Sequence, residues 1–431
     1  MIALAVVLAI LVRQVFILAA MLRSRRFLAD APQREAERTP TMFVVIPVLR
    51  ETAIIAETIA HMEQLADGHL AQVIVVTTER ETAEPLPSGN TASMVAELAA
   101  TGKLVHLHYP DLQGLKGDQV NFAVAYCVST LLGDVPSEDA YLVCYDADSR
   151  PPLDSLAHFE AAIAANDDAD VFHQSSRFDL RESVTPAGVT GLRQLSRAVC
   201  EGGALRANRF VLGFEIPRLI NRSAKVGRLK RAACSYVYAH VTGHGLCVRL
   251  SFLLDNPLPT KSPLEDMQYS FGLGSRDIPM VPVASLDRAA VPDTIAAQVE
   301  QASRWFFGPA RALRYLREPT TQRGTRARLQ AVSALGSSGE WLGCAVVPPI
   351  ILALICVARG PLQIAAVGVA VMYVAQLVLT DLILGAPSTI PQRVVRVLTC
   401  PLATVLFGIG GFIGTFNLLK GGSGVGKTER R

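Results

Sequence analysis

The stretch Met42-Phe-Val-Val-Ile-Pro47 is a short, fully apolar run, typical of a strand buried on both faces of a parallel sheet. Similar runs lie at Gln72–Thr77, Leu104–Leu107 and Tyr141–Tyr145, and residues Glu51–Leu65 show helical spacing of apolar positions. Strands that alternate with helices predict an α/β sheet with helices on both faces. In such sheets ligands bind beyond the carboxyl ends of the strands, so the residues that follow these runs are the first candidates for a site.

The composition indicates a membrane protein with a globular middle. The chain has 431 residues, of which 50% are hydrophobic and only 18% charged, whereas soluble domains carry about 25% charged residues. Its net charge of +3 is too small for the basic excess of nucleic-acid-binding proteins, so we expect no nucleic-acid partner. The eight cysteines include no C-x-x-C pair, which argues against a zinc site or a disulfide framework.

The apolar excess is concentrated at the two ends of the chain. Ile2–Leu22 is long enough to span a bilayer, and we predict a membrane helix within residues 1–23. Basic residues follow this run at Arg23, Arg25 and Arg26, which favours an uncleaved anchor with the next domain in the cytoplasm. Arg13 interrupts the run and should face protein, because a charge facing lipid is costly. We therefore expect an integral protein of a bacterial inner membrane.

Residues 339–420 contain three further candidate spans, namely Trp341–Val357, Leu362–Leu384 and Val394–Leu419. Four spans place both ends of the chain on the same side of the membrane. Arg393 and Arg396 then lie in a cytoplasmic loop, which agrees with the tendency of basic residues to stay on the cytoplasmic side. The basic tail would lie on the other side of the membrane and conflicts with this tendency.

Two segments flank these spans. Residues 311–338 form a basic segment with Arg311, Arg314 and Arg317 at helical spacing; it is a solvated helix or, as we favour, a helix on anionic lipid. The tail 421–431 reads Gly-Gly-Ser-Gly-Val-Gly-Lys-Thr-Glu-Arg-Arg and matches the phosphate-binding P-loop pattern. A candidate span precedes it in place of a strand and only three residues follow, so a flexible tail explains it better.

Two acidic pairs are candidates for chemistry. Asp146 and Asp148 come directly after the apolar strand at Tyr141–Tyr145, where their oxygens can hold one Mg²⁺ or Mn²⁺ that bridges a diphosphate. A surface turn is the alternative. Glu265 and Asp266 precede a helical stretch; they either favour the helix dipole or supply a base that deprotonates an acceptor hydroxyl.

A third motif is Gln301-Ala-Ser-Arg304-Trp305. Gln301 and Arg304 lie three residues apart on one helical face, and arginine suits phosphate oxygens. A buried tryptophan usually belongs to a core. This one adjoins the Gln–Arg pair, and an indole face is a good platform for a sugar ring.

The order of these motifs resembles the membrane-bound inverting glycosyltransferases of family 2, which include cellulose, hyaluronan and chitooligosaccharide synthases. The resemblance covers residues 41–310 and implies a GT-A-like, Rossmann-like cytoplasmic domain with one N-terminal and about three C-terminal transmembrane helices. It also implies a nucleotide-sugar donor, Mg²⁺ or Mn²⁺, and a saccharide or lipid acceptor at the membrane.

The resemblance also implies roles for individual residues. Asp266 would be the catalytic base, with Glu265 beside it on the acceptor side and Trp305 stacked on the acceptor sugar. Asp146 would contact the nucleotide and, with Asp148, the metal. The other donor-side residues would be Pro47, Glu51, Glu79, Lys116, Gln301 and Arg304.

Three positions depart from that family's pattern or add to it. Thr77-Thr78-Glu79 stands where relatives have an aspartate pair that recognises the base, which weakens the expectation of a UDP-sugar, and Leu264 stands where threonine is common. His240 and His244 have the i, i+4 spacing of metal ligands, but neighbouring glycines favour a loop. We expect His244 to line the acceptor site.

The sequence therefore favours an enzyme that transfers sugars to a growing poly- or oligosaccharide. Transfer of a single sugar to a membrane lipid is the alternative. A non-catalytic transporter or scaffold is disfavoured, because the spans are few and the motif-bearing domain is large.

Overall fold

The computed structural model of the chain describes residues 1–30, 39–81, 90–180, 191–223, 236–260, 262–386 and 388–421. The basic tail and its P-loop-like sequence lie outside these residues, apart from Gly421.

The chain alternates strands and helices before it ends in long helices. The nine strands of the described residues are β1 Thr41–Pro47, β2 Ala71–Thr78, β3 Val105–Tyr109, β4 Ala140–Cys144, β5 Val171–His173, β6 Ser176–Leu180, β7 Leu246–Arg249, β8 Val281–Pro282 and β9 Asp287–Val291. The helices before the C-terminal spans are α1 Ile2–Ala29, α2 Ile55–Ala66, α3 Thr91–Thr101, α4 Lys116–Tyr126, α5 Ser155–Ala164, α6 Gly191–Phe210, α7 Ile216–Arg222, α8 Leu250–Asp255, α9 Glu265–Ser275, α10 Ile295–Ala310 and α11 Ala312–Tyr315. The three that follow are α12 Thr325–Val357, α13 Pro361–Leu384 and α14 Ile390–Leu419.

Strand β1 lies inside a seven-stranded sheet of order β3-β2-β1-β4-β7-β5-β8. It pairs in parallel with β2 and with β4, where Val45 faces Cys144. Alternate residues of β1 pack into two different cores: Val44 and Ile46 lie in one cluster, and Phe43 and Val45 lie in the other. Because both faces are buried, the strand reads as a continuous apolar run without polar alternation.

The four strands predicted from sequence are present within two residues of their expected ends. The sheet is nevertheless mixed, because β7 runs antiparallel to both β4 and β5. Strands β6 and β9 form a separate parallel pair, in which Ser176 faces Asp287. This pair brings residues far apart in sequence to the side of the main sheet.

Helix α2 begins at Ile55, four residues later than its apolar spacing suggests. The carbonyl oxygen of Glu51 accepts hydrogen bonds from the N–H groups of Ile54 and Ile55 at 3.0 and 2.9 Å. Arg50 has a positive φ of 55°, a conformation that interrupts a helix. The residues directly after β1 therefore form a turn at the carboxyl edge of the sheet.

Four helices, α1, α12, α13 and α14, are long and apolar enough to cross a membrane. They correspond to the four predicted spans, and the three C-terminal ones begin earlier than predicted. Residues 311–338 do not form one basic helix. Helix α11 ends at Tyr315, a turn with Pro319 and Gly324 follows, and α12 continues from Thr325 into the apolar span, since proline and glycine interrupt helices.

The first turns of α12 pack against the domain. Ala327, Ala331 and Ala334 share a buried cluster with Phe271 and Tyr315, and Arg326 forms an ion pair of 3.1 Å with Asp277. These contacts fix the beginning of a candidate span to the helix that carries Asp266.

Candidate active site

A cleft of about 2050 Å³ lies beyond the carboxyl ends of β1 and β4. Pockets for drug-sized ligands measure roughly 300–1,000 Å³, so this cleft has room for two substrates. Residues from all four long apolar helices line it as well. Eight of the twelve residues proposed from sequence for catalysis, donor, acceptor or metal binding line the cleft, namely Lys116, Asp146, Asp148, His244, Asp266, Gln301, Arg304 and Trp305.

Asp146 is positioned by the end of β4. The N–H of Tyr145 donates to the carbonyl of Val45 at 3.0 Å, which extends the ladder with β1, and the N–H of Ser149 donates to the carbonyl of Asp146 at 3.0 Å. The chain therefore turns at the Asp146–Asp148 segment. Both carboxylates are partly exposed to the cleft.

Lys116, the first residue of α4, joins two sides of the cleft. Its Nζ donates hydrogen bonds to Asp146 Oδ1 at 2.5 Å and to the carbonyl of Gly243 at 2.7 Å. Burial alone would lower the pKa of Lys116, but the Asp146 carboxylate outweighs that effect and raises this pKa above its ordinary value. The ammonium group is therefore a fixed positive charge beside the acidic pair.

The polar residues that follow Lys116 hold the helix in place. Asp118 accepts from the N–H of Leu115 at 2.9 Å, Gln119 donates to the carbonyl of Val76 at 2.8 Å, and Asn121 donates to the carbonyl of Leu258 at 2.8 Å. Of the residues in this segment, only Lys116 lines the cleft.

Asp266 lies in the first turn of α9, where two backbone N–H groups orient its carboxylate. Oδ1 accepts from the N–H of Met267 at 2.7 Å, and Oδ2 accepts from the N–H of Gly243 at 3.0 Å. A carboxylate oxygen can accept more than one hydrogen bond, so the group keeps capacity for a substrate hydroxyl.

Glu265 is buried behind Asp266, 7% exposed, and does not line the cleft. Burial, followed by the charge of Asp266, raises the pKa of Glu265 to about 7. Its predicted contact with the acceptor therefore lacks geometric support. Its position indicates an electrostatic influence on Asp266 instead.

His244 lies in a loop, as its neighbouring glycines predict, and contacts the β6–β9 pair. Its Nδ1 is 2.9 Å from Ser176 Oγ and 3.3 Å from Asp287 Oδ2. Burial would lower the pKa of His244, but the hydrogen bond to Asp287 raises it to about 9. The imidazolium is therefore a second fixed positive charge in the cleft.

His240 has a different environment. Its ring stacks between Tyr238 and Phe210, with centroids 5.9 and 6.1 Å away, and burial lowers its pKa. Among the described residues, His240 and His244 belong to no cluster able to hold a metal. Both histidines lie in irregular chain and not on one helix, so their i, i+4 spacing does not place them on a common helical face.

Sequence reasoning missed Asp287 and Arg150. Asp287 is fully buried, and its Oδ1 accepts from the N–H of Arg150 at 3.0 Å. These residues are more than 130 positions apart, and neither lies in a recognisable motif. Arg150 and Arg288 also exchange backbone hydrogen bonds of 3.0 and 3.3 Å, which place the start of β9 beside the turn after Asp148, a proximity that no local pattern reveals.

Gln301, Arg304 and Trp305 lie on α10, which follows the capping residue Thr294. The Thr294 side chain accepts from the N–H of Ala297 at 3.3 Å, a capping contact that fixes the start of the helix. All three motif residues line the cleft. Trp305 and Gln301 also line a small adjoining cavity of about 30 Å³.

Three donor-side candidates do not line the cleft. Pro47 pairs with Val76 at the end of β1. Glu51 is 9% exposed, and its N–H donates to Thr91 Oγ1 at 3.1 Å. Glu79 pairs with His108 at 2.7 Å. Roles of these residues in nucleotide binding therefore stay predictions from the resemblance.

The acidic pair fits a divalent metal that arrives with a diphosphate. Among the described residues, no group of three or more His, Cys, Asp or Glu side chains could hold a metal ion by itself. Asp146 and Asp148 supply hard oxygen ligands, which Mg²⁺ and Mn²⁺ prefer, and Mg²⁺ usually takes its remaining ligands from substrate phosphates and water.

Comparison with protein-family models finds no match, and comparison with curated proteins finds none either. The chain is similar to a solved structure of the mannosyltransferase PcManGT from Pyrobaculum calidifontis in complex with GDP-Man and Mn²⁺. The likeness covers 95% of this chain and 99% of that one, with a TM-score of 0.52 and 14% identity. The two chains share a fold.

Proposed function

We propose that this protein is a membrane glycosyltransferase that moves a sugar from a nucleotide sugar to an acceptor with inversion at the anomeric carbon. The observation that carries this proposal is the convergence of Asp146, Asp148, Asp266, Arg304 and Trp305 on one cleft. These residues come from three distant parts of the sequence. The GDP-Man and Mn²⁺ of the PcManGT complex support the same reaction class.

The donor diphosphate belongs at the end of the cleft formed by Lys116, Asp146 and Asp148. A divalent metal held by the two carboxylates would neutralise charge that develops on the leaving diphosphate. Lys116 and Arg304 add fixed positive charge, which stabilises the same group without reorganisation during the reaction. Resemblance favours a uridine nucleotide, whereas the PcManGT structure contains GDP-Man; both classes belong in a donor screen.

Asp266 is the proposed general base. As the acceptor hydroxyl oxygen forms its bond to the anomeric carbon, the carbon–oxygen bond to the diphosphate breaks and the hydroxyl proton moves to Asp266. The two backbone N–H donors hold the carboxylate in one orientation, which general base catalysis requires. This single displacement inverts the anomeric centre.

Two acceptor classes are consistent with the cleft. A growing saccharide would stack on Trp305, as aromatic platforms favour. A membrane lipid is supported by the lining of the cleft, which includes Arg13, Trp341, Asp381 and Phe407 from the four long apolar helices. We place the α/β domain on the cytoplasmic side of a bacterial inner membrane, in agreement with the basic residues after α1.

The test uses the full chain in detergent with Mn²⁺ and a panel of labelled UDP- and GDP-sugars. The Asp266→Asn variant should lose transfer by about a hundredfold or more, since general base catalysis contributes roughly 10²–10⁴-fold, while it keeps donor binding. Asp67→Asn, an exposed aspartate at the opposite edge of the sheet, is the matched control. Undiminished transfer by Asp266→Asn would refute the assignment of the base.

A further inference from the structure

The lining of the cleft includes Arg13, Arg206, Arg209 and Arg218, which come from elements that pack against the candidate spans. Arg13 comes from α1, Arg206 and Arg209 come from α6, and Arg218 comes from α7. Helix α6 belongs to the α/β part of the chain, yet the Thr399 side chain of α14 donates to the carbonyl of Ala198 in α6 at 2.8 Å. This contact places α6, and with it Arg206 and Arg209, next to the candidate spans.

Arg206 lies closest to the acceptor platform. Its guanidinium is 3.4 Å from the centroid of the Phe407 ring, which stacks on Trp341 at 4.3 Å. Arg206 also lines the small cavity that Gln301 and Trp305 share. A group bound to Arg206 would therefore be adjacent to whatever rests on Trp305.

Arg209 contacts the interior of two candidate spans. It donates to Gln376 Oε1 of α13 at 2.8 Å and to Gln14 Oε1 of α1 at 3.2 Å. Its guanidinium also lies 4.8 Å from the Tyr373 ring centroid. Burial lowers the pKa of both Arg206 and Arg209, although arginine stays protonated under physiological conditions.

The nearby carboxylates do not balance this charge. Glu340 pairs with Arg13 at 2.8 Å, and Glu215 lies 3.5 Å from His173. Among the residues that the structure describes, neither Arg206 nor Arg209 forms an ion pair with a carboxylate. Charged side chains at membrane depth are costly and mark substrate pathways, and guanidinium groups match phosphate oxygens in geometry.

The geometry points to a binding site for a lipid-linked phosphate or diphosphate of the acceptor, formed by Arg206 and Arg209 with Arg13 and Arg218 beside them. This inference rests on the proposed function and specifies its acceptor. The donor diphosphate is assigned to a different charged part of the cleft, at Lys116 and Asp146. The arginine cluster, in contrast, contacts residues of the candidate spans.

Aromatic rings separate this cluster from the base. Tyr238 Oη donates to the carbonyl of Met267, next to Asp266, at 3.1 Å. From Tyr238 the rings of His240, Phe210 and Phe214 follow at centroid spacings of 5.9, 6.1 and 5.6 Å. Arg13 and Arg218 lie over the ring of Phe214 at 5.5 and 5.7 Å. This row of rings lies between Asp266 and the arginines Arg13 and Arg218, so the inferred acceptor has a sugar or similar polar unit between its phosphate and the reacting hydroxyl.

Intrinsic fluorescence can report this binding, because the chain has two tryptophans, Trp305 and Trp341, and both line the cleft. The full chain in detergent is titrated with a polyisoprenyl phosphate, with the prenol of the same length, and with inorganic pyrophosphate. We expect a saturable change with the phosphorylated lipid and at least tenfold weaker binding of both the prenol and the pyrophosphate.

Variants then locate the site. The Arg206→Gln/Arg209→Gln double variant should bind the phosphorylated lipid at least tenfold more weakly, while its thermal stabilisation by nucleotide sugar and Mn²⁺ stays unchanged. Arg193→Gln removes an exposed arginine from the same helix and should behave as the unmodified protein. If the double variant does not fold, Arg206→Lys provides the comparison, since an ammonium group keeps the charge and loses the bidentate contact.

Three outcomes would overturn the inference: equal affinity for phosphorylated lipid and prenol, pyrophosphate binding as tight as the lipid, or loss of donor stabilisation in the arginine variants. The last would assign the arginines to the donor. If no donor supports sugar transfer, the proposed function fails, whereas lipid-phosphate binding is still decided by the fluorescence titration.

Discussion

Asp266 Oδ2 accepts a hydrogen bond from the backbone N–H of Gly243 at 3.0 Å, and the carbonyl of the same glycine accepts from Lys116 Nζ at 2.7 Å. One peptide segment therefore links the proposed base to the charged residues at the donor end of the cleft. A Cβ on Gly243 would lie 2.7 Å from Lys116 Nζ, so a side chain at this position would force the ammonium group of Lys116 to move.

Gly243→Ala should therefore reduce kcat by about ten- to a hundredfold, since displacement of a catalytic group by about 1 Å can cost 10²-fold. Donor binding should also weaken, because the added Cβ would displace Lys116 Nζ at the donor end of the cleft, whereas thermal stability should change little. The matched control is Gly336→Ala in α12, where an added Cβ meets nothing within 4 Å. Steady-state kinetics of both variants test this prediction, and equal kcat values would contradict the positioning role of Gly243.

The acidic pair predicts a metal-dependent donor complex. In the unmodified protein, nucleotide sugar with Mn²⁺ at 100-fold its Kd should stabilise the fold by about 2.7 kcal/mol, and EDTA should abolish this effect. Asp148→Asn should require much more Mn²⁺ for the same stabilisation. Asp146→Asn should be worse, because it also removes the partner of Lys116.

Thermal unfolding with and without Mn²⁺ measures these effects. Asp168→Asn, an exposed aspartate before β5 at the other edge of the sheet, serves as the control. Unaltered Mn²⁺ dependence in both site variants would show that the acidic pair does not hold the metal.

Local patterns suffice for much of the site. Asp146 follows a continuous apolar strand, and the carboxyl end of such a strand is where α/β sheets bind ligands. Asp266 precedes a helical stretch in the sequence pattern and lies in the first turn of α9, and Gln301 and Arg304 share the helix that their spacing predicts. Each of these residues lies in or directly after a strand or helix that the pattern of apolar residues predicts.

The arginine cluster has no comparable signal. In the sequence, the several arginines of α6 are typical of a solvated helix. In the structure, Arg193 is exposed, whereas Arg206 and Arg209 line the cleft. The partners of Arg209, Gln14 and Gln376, are more than 160 residues away. The contact between His244 and Asp287 is unpredictable from sequence for the same reason, since tertiary packing and not periodicity brings the two residues together.

His244 predicts a pH dependence of stability. Its folded pKa of about 9 lies above its ordinary value of 6.5, so the protonated form stabilises the fold fully below pH 6.5. This contribution, at most about 3 kcal/mol, is lost as the pH rises to about 9. His244→Gln should lower the thermal midpoint at pH 6.5 and flatten its decline toward pH 9.

The measurement is a series of thermal unfolding curves in EDTA between pH 6 and 10. His158→Gln on α5, outside the cleft, is the control variant. Curves for His244→Gln that run parallel to those of the unmodified protein would contradict the ion pair with Asp287. Unchanged acceptor affinity in His244→Gln would separately remove the predicted role of His244 in acceptor binding.

The last prediction concerns a buried ion pair between the last two candidate spans. Asp381 Oδ1 of α13 lies 2.9 Å from Arg396 Nη2 of α14, and the two side chains are 5% and 9% exposed. Removal of one partner leaves an uncompensated buried charge, which typically costs about 3–5 kcal/mol. Asp381→Asn alone should therefore lower stability strongly.

The double variant Asp381→Leu/Arg396→Met should recover most of this loss, because apolar replacement of a whole buried pair is often neutral or stabilising. A double-mutant cycle on thermal stability tests the coupling. Ser388 also accepts from Arg396 Nη2 at 2.6 Å, so Ser388→Ala is the control for that second contact. Additive effects of the two single variants would show that Asp381 and Arg396 do not stabilise each other, and would leave Arg393, 3.8 Å from Asp381 Oδ2, as the ion-pair partner of Asp381 on α14.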